Sequence, residues 1–192
     1  MTRLLSQLMA CAVTLALLAA PAQAEKLKAV ASFSILGDMV QQVTGDLASV
    51  TTIVGPDADA HVYTPKVNDA RAVTEEDVIF VNGLGFETWS KTLIDTSGTK
   101  AKVYIATESM TPLKVDGETD PHAWNALTNG VIYVQNIAKA LAEVDPKNAK
   151  TYETNAAAYI AELEAVHKHT VAELAALPKD RRTVVTAHDA FG

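Results

Sequence analysis

Leu27-Lys-Ala-Val-Ala-Ser-Phe-Ser-Ile-Leu-Gly-Asp-Met-Val-Gln-Gln-Val-Thr-Gly45 changes its hydrophobic period part-way along. Up to Phe33 it is a short, largely apolar run, the pattern of a strand buried on both faces of a sheet. Beyond it the apolar positions are Leu36, Met39, Val40 and Val43, the three-and-four spacing of a helix, and Gly45 supplies a C-cap. A strand that runs directly into a helix is the first half of a βαβ unit, and the pattern recurs. Ala48–Val54, Asp77–Val81 and Lys102–Ala106 read as three more strands. Helices are expected from Thr64-Pro65 to about Val73, from Phe86 to Ile94 and from Asn129 to Glu143. Strands alternating with helices imply an α/β fold, a parallel sheet with helices on its faces.

Composition limits what such a fold does. The chain has 192 residues, 48% hydrophobic and 20% charged, enough to bury a sizeable core. Its net charge of −7 gives no attraction for phosphates or anionic lipid, so no nucleic-acid partner is expected. A single cysteine, Cys11, excludes a Cys-based zinc ribbon, an iron–sulfur site, a CxxC redox pair and an intrachain disulfide. Any metal must be held by histidines and carboxylates. Arg3, the apolar run Ala10–Ala20 and Ala22-Gln-Ala24 form the three regions of a secretory signal, so residues 1–24 are read as a leader cut after Ala24. The apolar run follows Cys11 instead of preceding it, which argues against a lipid anchor there. The mature chain is expected to be exported, without a transmembrane segment.

Tyr152, Ala156, Tyr159, Leu163, Val166, Thr170, Leu174 and Leu177 mark one long amphipathic helix over residues 146–177. At 1.5 Å per residue it spans roughly 45 Å, more than a small domain is wide, as befits a connector between lobes. After Pro178, Thr183–Ala187 is expected as a fifth strand leading into His188-Asp-Ala-Phe-Gly192. Arg182-Thr-Val-Val-Thr resembles Lys28-Ala-Val-Ala-Ser, as though a second lobe were opening. The organisation expected is an N-terminal α/β lobe over residues 25–145, a connecting helix over 146–177, and the start of a truncated C-terminal lobe over 178–192.

The five histidines divide by position. His167 and His169, two apart on the long helix, cannot share a face and read as surface residues. His61 follows the second strand, His122 lies in the loop after the fourth, and His188 ends the fifth, where α/β sheets bind ligands. Each has an aspartate within two positions, Asp59, Asp120 and Asp189, candidates to orient a metal-bound imidazole through its other ring nitrogen. A single loop histidine is ordinarily a surface residue; three in this arrangement make a candidate metal site with a fourth position open. Trp124 reads first as core, Tyr63 and Phe191 as packing, and Asn82-Gly-Leu-Gly85 as a tight strand-to-helix turn, since it lacks the spacing of a phosphate loop.

Five motifs now stand in one order: Ser32-Phe-Ser-Ile-Leu-Gly-Asp-Met-Val40, Asp59-Ala-His-Val-Tyr-Thr-Pro65, Val81-Asn-Gly-Leu-Gly-Phe-Glu87, Asp120-Pro-His-Ala-Trp124 and Thr186-Ala-His-Asp-Ala-Phe-Gly192. Together they resemble the zinc/manganese solute-binding proteins of bacterial ABC importers, from about Lys28 to the last residue. The resemblance implies two α/β lobes joined by a long rigid helix, with the metal in the cleft between them. It implies His61 and His122 as first-lobe ligands and His188 as the third, with a fourth ligand near the end of the second lobe. It also implies a periplasmic, monomeric carrier that hands its ion to a membrane permease. Zinc-dedicated relatives often carry a histidine-rich loop before the second ligand, and Pro112–Pro121 contains no histidine. Manganese relatives tend to place glutamate at the third position. A third imidazole there favours Zn2+ over the alternative, Mn2+, on ligand softness.

The expected function is therefore capture and delivery of a divalent metal, not enzymatic. A metal-dependent adhesin is the competing reading. A secreted zinc hydrolase is weaker: the sequence holds no H-E-x-x-H helix or G-x-S-x-G elbow, and nothing nominates a general base beyond the three aspartates.

Overall fold

The computed structural model describes residues 25–192 except 187, 189 and 192, so the expected leader with Cys11, and also Asp189, lie outside the described residues. Four parallel strands form the sheet: β1 (Leu27–Phe33), β2 (Ala48–Val54), β3 (Val78–Val81) and β4 (Lys102–Ile105), in the order β2-β1-β3-β4. Around them run α1 (Ser34–Thr44), α2 (Val67–Glu75), α3 (Ser90–Ser97), α4 (Leu127–Val144) and α5 (Ala149–Ala176).

The two central strands, β1 and β3, are apolar on both faces because both are covered, and their alternate residues go to different cores. Ala29, Ala31 and Phe33 of β1, with Val78 and Phe80 of β3, pack into the larger cluster with Leu36, Val40 and Val43 of α1 and Tyr133, Ile137 and Leu141 of α4. Val30, Ile79 and Val81 turn to the other face, against Val73 of α2 and Leu93 of α3. Gly45 ends α1 at φ +54°, where its N–H reaches the carbonyl of Gln41.

The long helix is present, preceded by a 3-10 turn over Pro146–Asn148. Its first half is anchored: Tyr152 and Ala156 are buried, and Tyr159, Ile160 and Leu163 lean on the main core. Beyond Leu163 the apolar stripe continues without cover, with Val166, Val171 and Leu174 each about half exposed. Among the described residues no helix is long and apolar enough to cross a membrane.

Three local expectations are corrected. Helix α2 opens at Val67 rather than Thr64, because the Asp69 carboxylate accepts the Lys66 backbone N–H (2.6 Å) and the Tyr63 hydroxyl (2.9 Å), fixing the start there. Helix α3 opens at Ser90 rather than Phe86, since Gly83, Leu84 and Gly85 all hold positive φ and keep the chain turning. Arg182–Thr186 forms no strand. Among the described residues no strand pairs with it, and Val184 and Val185 are 81% and 93% exposed. The connection before His122 also contains a small hairpin, β5 (Lys114–Val115) and β6 (Glu118–Thr119), turned by Asp116-Gly117 with both residues at positive φ.

Candidate metal centre

The loops that leave the carboxyl ends of β2 and β4 converge above the sheet, and each fixes one histidine. In the first, Asp59 Oδ1 accepts the backbone N–H of His61 (2.8 Å), a local turn that sets the loop's path. Trp89 Nε1 donates to the carbonyl of Ala60 (2.7 Å), tying the same loop to the residue before α3. The His61 ring rests edge-to-face on Phe86, centroids 4.5 Å apart. Phe86 in turn meets Phe33 and Trp124, so an aromatic floor underlies the site. Trp124 thus packs against the core and also stands beside His122 at 5.4 Å.

His122 is held by charge instead. Asp120 Oδ1 accepts both its backbone N–H (2.9 Å) and its ring Nδ1–H (2.7 Å). A proton on Nδ1 leaves the lone pair on Nε2, which fixes the tautomer a metal ligand needs. His122 is buried, 8% exposed. Burial pushes the Asp120 carboxyl upward, but the His122 N–H groups, and the charge those imidazoles can carry, hold it net below its ordinary value.

The third histidine comes from the tail. Asn125 Nδ2 donates to the carbonyl of Ala190 (2.7 Å), and Ala190 is buried, which brings His188 over the other two. His188 Nε2 lies 3.0 Å and His61 Nε2 2.8 Å from His122 Nε2. One ligand atom from each of the three lies within 4.8 Å of the others. Two ring nitrogens thus crowd the single lone pair of His122. That pair accepts at most a shared proton from its neighbours, whereas one cation takes all three lone pairs. Burial, with His122 next, lowers the His61 pKa below 6.5, against a smaller upward pull from Asp59, so the ring is neutral at physiological pH. The site opens into a cleft of about 270 Å³.

Of the expected orienting carboxylates, Asp120 meets an imidazole, whereas Asp59 bonds the His61 backbone N–H. Asp189 falls outside the described residues. His169 is exposed and His167 half-buried on α5, apart from the cluster. Tyr63 packs as expected, against Trp89 at 5.3 Å, but Phe191 is 67% exposed and packs little.

Sequence reasoning missed the polar group beneath the site. Glu87, 6% exposed, accepts the Ser32 hydroxyl (2.5 Å) and the backbone N–H groups of Asn82 (2.6 Å) and Gly83 (3.2 Å). Burial pushes its carboxyl up, against these three donors. The usable signal was a glutamate in an otherwise apolar stretch two residues past a glycine turn.

A family model described as zinc-uptake complex component A, periplasmic, matches residues 29–192. The chain belongs to that family. It is 37% identical over 168 residues to the manganese-binding lipoprotein MntA of Halalkalibacterium halodurans, a match covering 87% of this chain and 56% of that protein. The chain thus spans a little over half the length of the curated relative it matches. Among solved structures it is similar to an Mn-bound periplasmic metal binding protein from Candidatus Liberibacter asiaticus, with TM-score 0.70 and 37% identity over 78% of this chain and 56% of that one. It is also similar to Zn(II)-bound AdcA from Streptococcus pneumoniae, with TM-score 0.72 and 30% identity over 79% of this chain and 33% of that one. Both show the same α/β architecture, and the family's members seen here differ in the metal their names carry.

Proposed function

We propose that this chain is the metal-capturing part of a periplasmic substrate-binding receptor, which takes up a divalent transition metal and passes it to the permease of an ABC importer. His61, His122 and His188 are the ligands, and zinc is the cargo. The observation that carries this reading is the convergence of three Nε2 atoms, two of them within 3.0 Å of the third. Neutral imidazoles suit zinc, and a site of three histidines leaves one coordination position for water or a carboxylate. Family membership supports the receptor role; the ligand chemistry supports the choice of zinc. Asp120 Oδ1 accepts from a ring nitrogen and Asp59 Oδ1 from a backbone N–H, bonds that place the histidines as ligands.

Capture proceeds from a half-built site. His61 and His122 stand on loops braced by the sheet, and His188 closes over them from the segment beyond α5. In this reading α5 is the connecting helix and its uncovered stripe belongs against the rest of the receptor.

Manganese is the second reading, favoured by the name of the MntA relative and by the Mn-bound structure. Calorimetric titration of the mature chain with zinc and with manganese, beside the His61, His122, His188 triple alanine variant, separates the possibilities. Zinc binding that exceeds manganese binding and vanishes in the variant is the expected result. Manganese preference reassigns the cargo. Binding that survives the variant, or no binding at all, returns the chain to an adhesin role.

A further inference from the structure

The turn at the carboxyl end of β3 provides no metal ligand, yet its first residue reaches the site. Asn82 is fully buried, and both N–H groups of its side-chain amide are used: Nδ2 donates to the carbonyl of Gly83 (3.0 Å) and to that of Pro121 (3.0 Å), 39 residues away. The amide oxygen accepts the buried Tyr133 hydroxyl of α4. Its backbone is fixed as well, the N–H by Glu87 and the carbonyl by the Thr107 hydroxyl (2.6 Å). Gly83 follows at φ +84°, where an added Cβ would stand 2.5 Å from Ile105 Cγ2, so the turn admits no side chain at that point.

Pro121 and His122 share one peptide group, and that group is planar. Its carbonyl is held by Asn82 from the turn after the adjacent strand, and its N–H is held by Asp120 within the loop. Pinning both edges of the plane sets the direction in which the His122 side chain leaves the backbone. The Asp120 bond alone fixes the ring relative to its own loop; the Asn82 bond fixes that loop relative to the body that carries His61.

We propose that Asn82 is a positioning residue for His122, holding the Pro121–His122 peptide so that the His122 ring nitrogen meets that of His61 before any metal arrives. This rests on His122 being a ligand. A merely structural role is the alternative, because removing any buried amide costs stability. The two are separated by a control in the same network. Thr107→Val deletes the hydroxyl that bonds the Asn82 backbone carbonyl and leaves the amide on Pro121 untouched.

The experiment measures zinc affinity, thermal midpoint and, in metal-free protein, the ¹⁵N shifts of the His122 ring for the mature chain, Asn82→Ala and Thr107→Val. Asn82→Ala is expected to weaken zinc binding roughly 10- to 100-fold, the scale for groups that orient ligands. Thr107→Val is expected to lower the midpoint while leaving affinity within about twofold, since the Asn82 side-chain amide keeps its bonds to Pro121 and Tyr133. In metal-free protein the His122 Nδ1–H, held by Asp120 within its own loop, should persist in all three, while the shift of Nε2, which meets His61, should match the parent in Thr107→Val and move toward that of a solvent-exposed ring nitrogen in Asn82→Ala. If Asn82→Ala does not fold, Tyr133→Phe, which keeps the amide but removes the hydroxyl that orients it, is expected to move affinity and the Nε2 shift in the same direction by less. Affinity that tracks the midpoint equally in both networks, or an unchanged Nε2 shift in Asn82→Ala or its substitute, overturns the proposal. A parent chain that binds neither zinc nor manganese overturns the receptor reading instead, and the metal-free ring measurement then decides the role of Asn82 alone.

Discussion

His122 and His188 offer the same atom to the same point, but they are supported differently. His122 is buried, carries a carboxylate on its far ring nitrogen, and sits on a peptide bonded at both edges. His188 is exposed, and among the described residues its segment is tied to the body through Ala190, by the bond from Asn125 and by burial of its methyl group. In the proposed reading, His122 is the ligand held in place by the sheet loops and His188 the one that must be ordered. Geometry that exists before binding lowers the entropy lost on capture, while a ligand that must be ordered adds to that loss.

The sharpest way to break this comparison is to remove each histidine alone. His122→Ala is expected to reduce zinc affinity by more than the roughly 100-fold upper range that loss of an orienting partner produces, since the ligand that touches both others is gone. His188→Ala should cost clearly less, leaving residual binding at His61 and His122. Calorimetry with zinc checks both. Equal losses would mean that the tail is as well organised as the sheet loops, and the distinction between preformed and closing ligands would fall.

A middle-sized effect distinguishes the two aspartates. Asp120→Asn and Asp59→Asn each keep an oxygen acceptor and remove a charge, but only Asp120 faces an imidazole nitrogen. Zinc affinity is expected to fall about 10-fold in Asp120→Asn, the lower range for outer partners of a ligand, and to change little in Asp59→Asn. A matching loss in both would indicate that general negative charge near the cleft, not the bond to Nδ1, attracts the ion.

The sheet and the three histidines were legible in sequence for a shared reason. Strand and helix periods differ, so each strand end could be located, and ligands gather at the carboxyl ends of strands. Ala48–Val54 was read to the residue because Gly55-Pro56 stops it. What escaped reading depends on partners distant in the chain. Asn82 looked like part of an ordinary turn, since its meaning lies in Pro121 and Tyr133, neither near it in sequence. Asp59 and Asp120 stand identically two residues before a histidine, yet one bonds a backbone and the other a ring; sequence spacing does not distinguish the two. Thr183–Ala187 has the β-branched composition of a strand, but strand formation requires an edge, and the described residues around Val184 provide none. Helix α3 starts late because three successive positive φ values must be completed first, and Leu84 at +55° is not a residue from which that conformation is expected.

The smallest effect tests His61, without any metal. Its ring is held by packing on Phe86, with no carboxylate on its nitrogen among the described residues, and burial together with the neighbouring imidazoles lowers its pKa below 6.5. In the unfolded chain the same group binds its proton more readily. The native state therefore carries fewer protons just below the ordinary value, and stability must rise with pH across that window. Read downward, the contribution is lost as pH falls through 6.5 and the loss levels off below the folded value. Glu87 runs the other way, because burial raises its carboxyl and its protonation relieves the fold in acid, so the total slope mixes both. The difference between the parent and His61→Gln isolates the histidine. Urea unfolding of the metal-free chain between about pH 7 and 5 is expected to show a shallow acid-side loss that His61→Gln reduces and His169→Gln leaves intact, His169 being exposed on α5. Coincident slopes for all three proteins would show that the packed ring is as free to take a proton as a surface one, and that only charge, and not the aromatic floor, prepares an imidazole in this site.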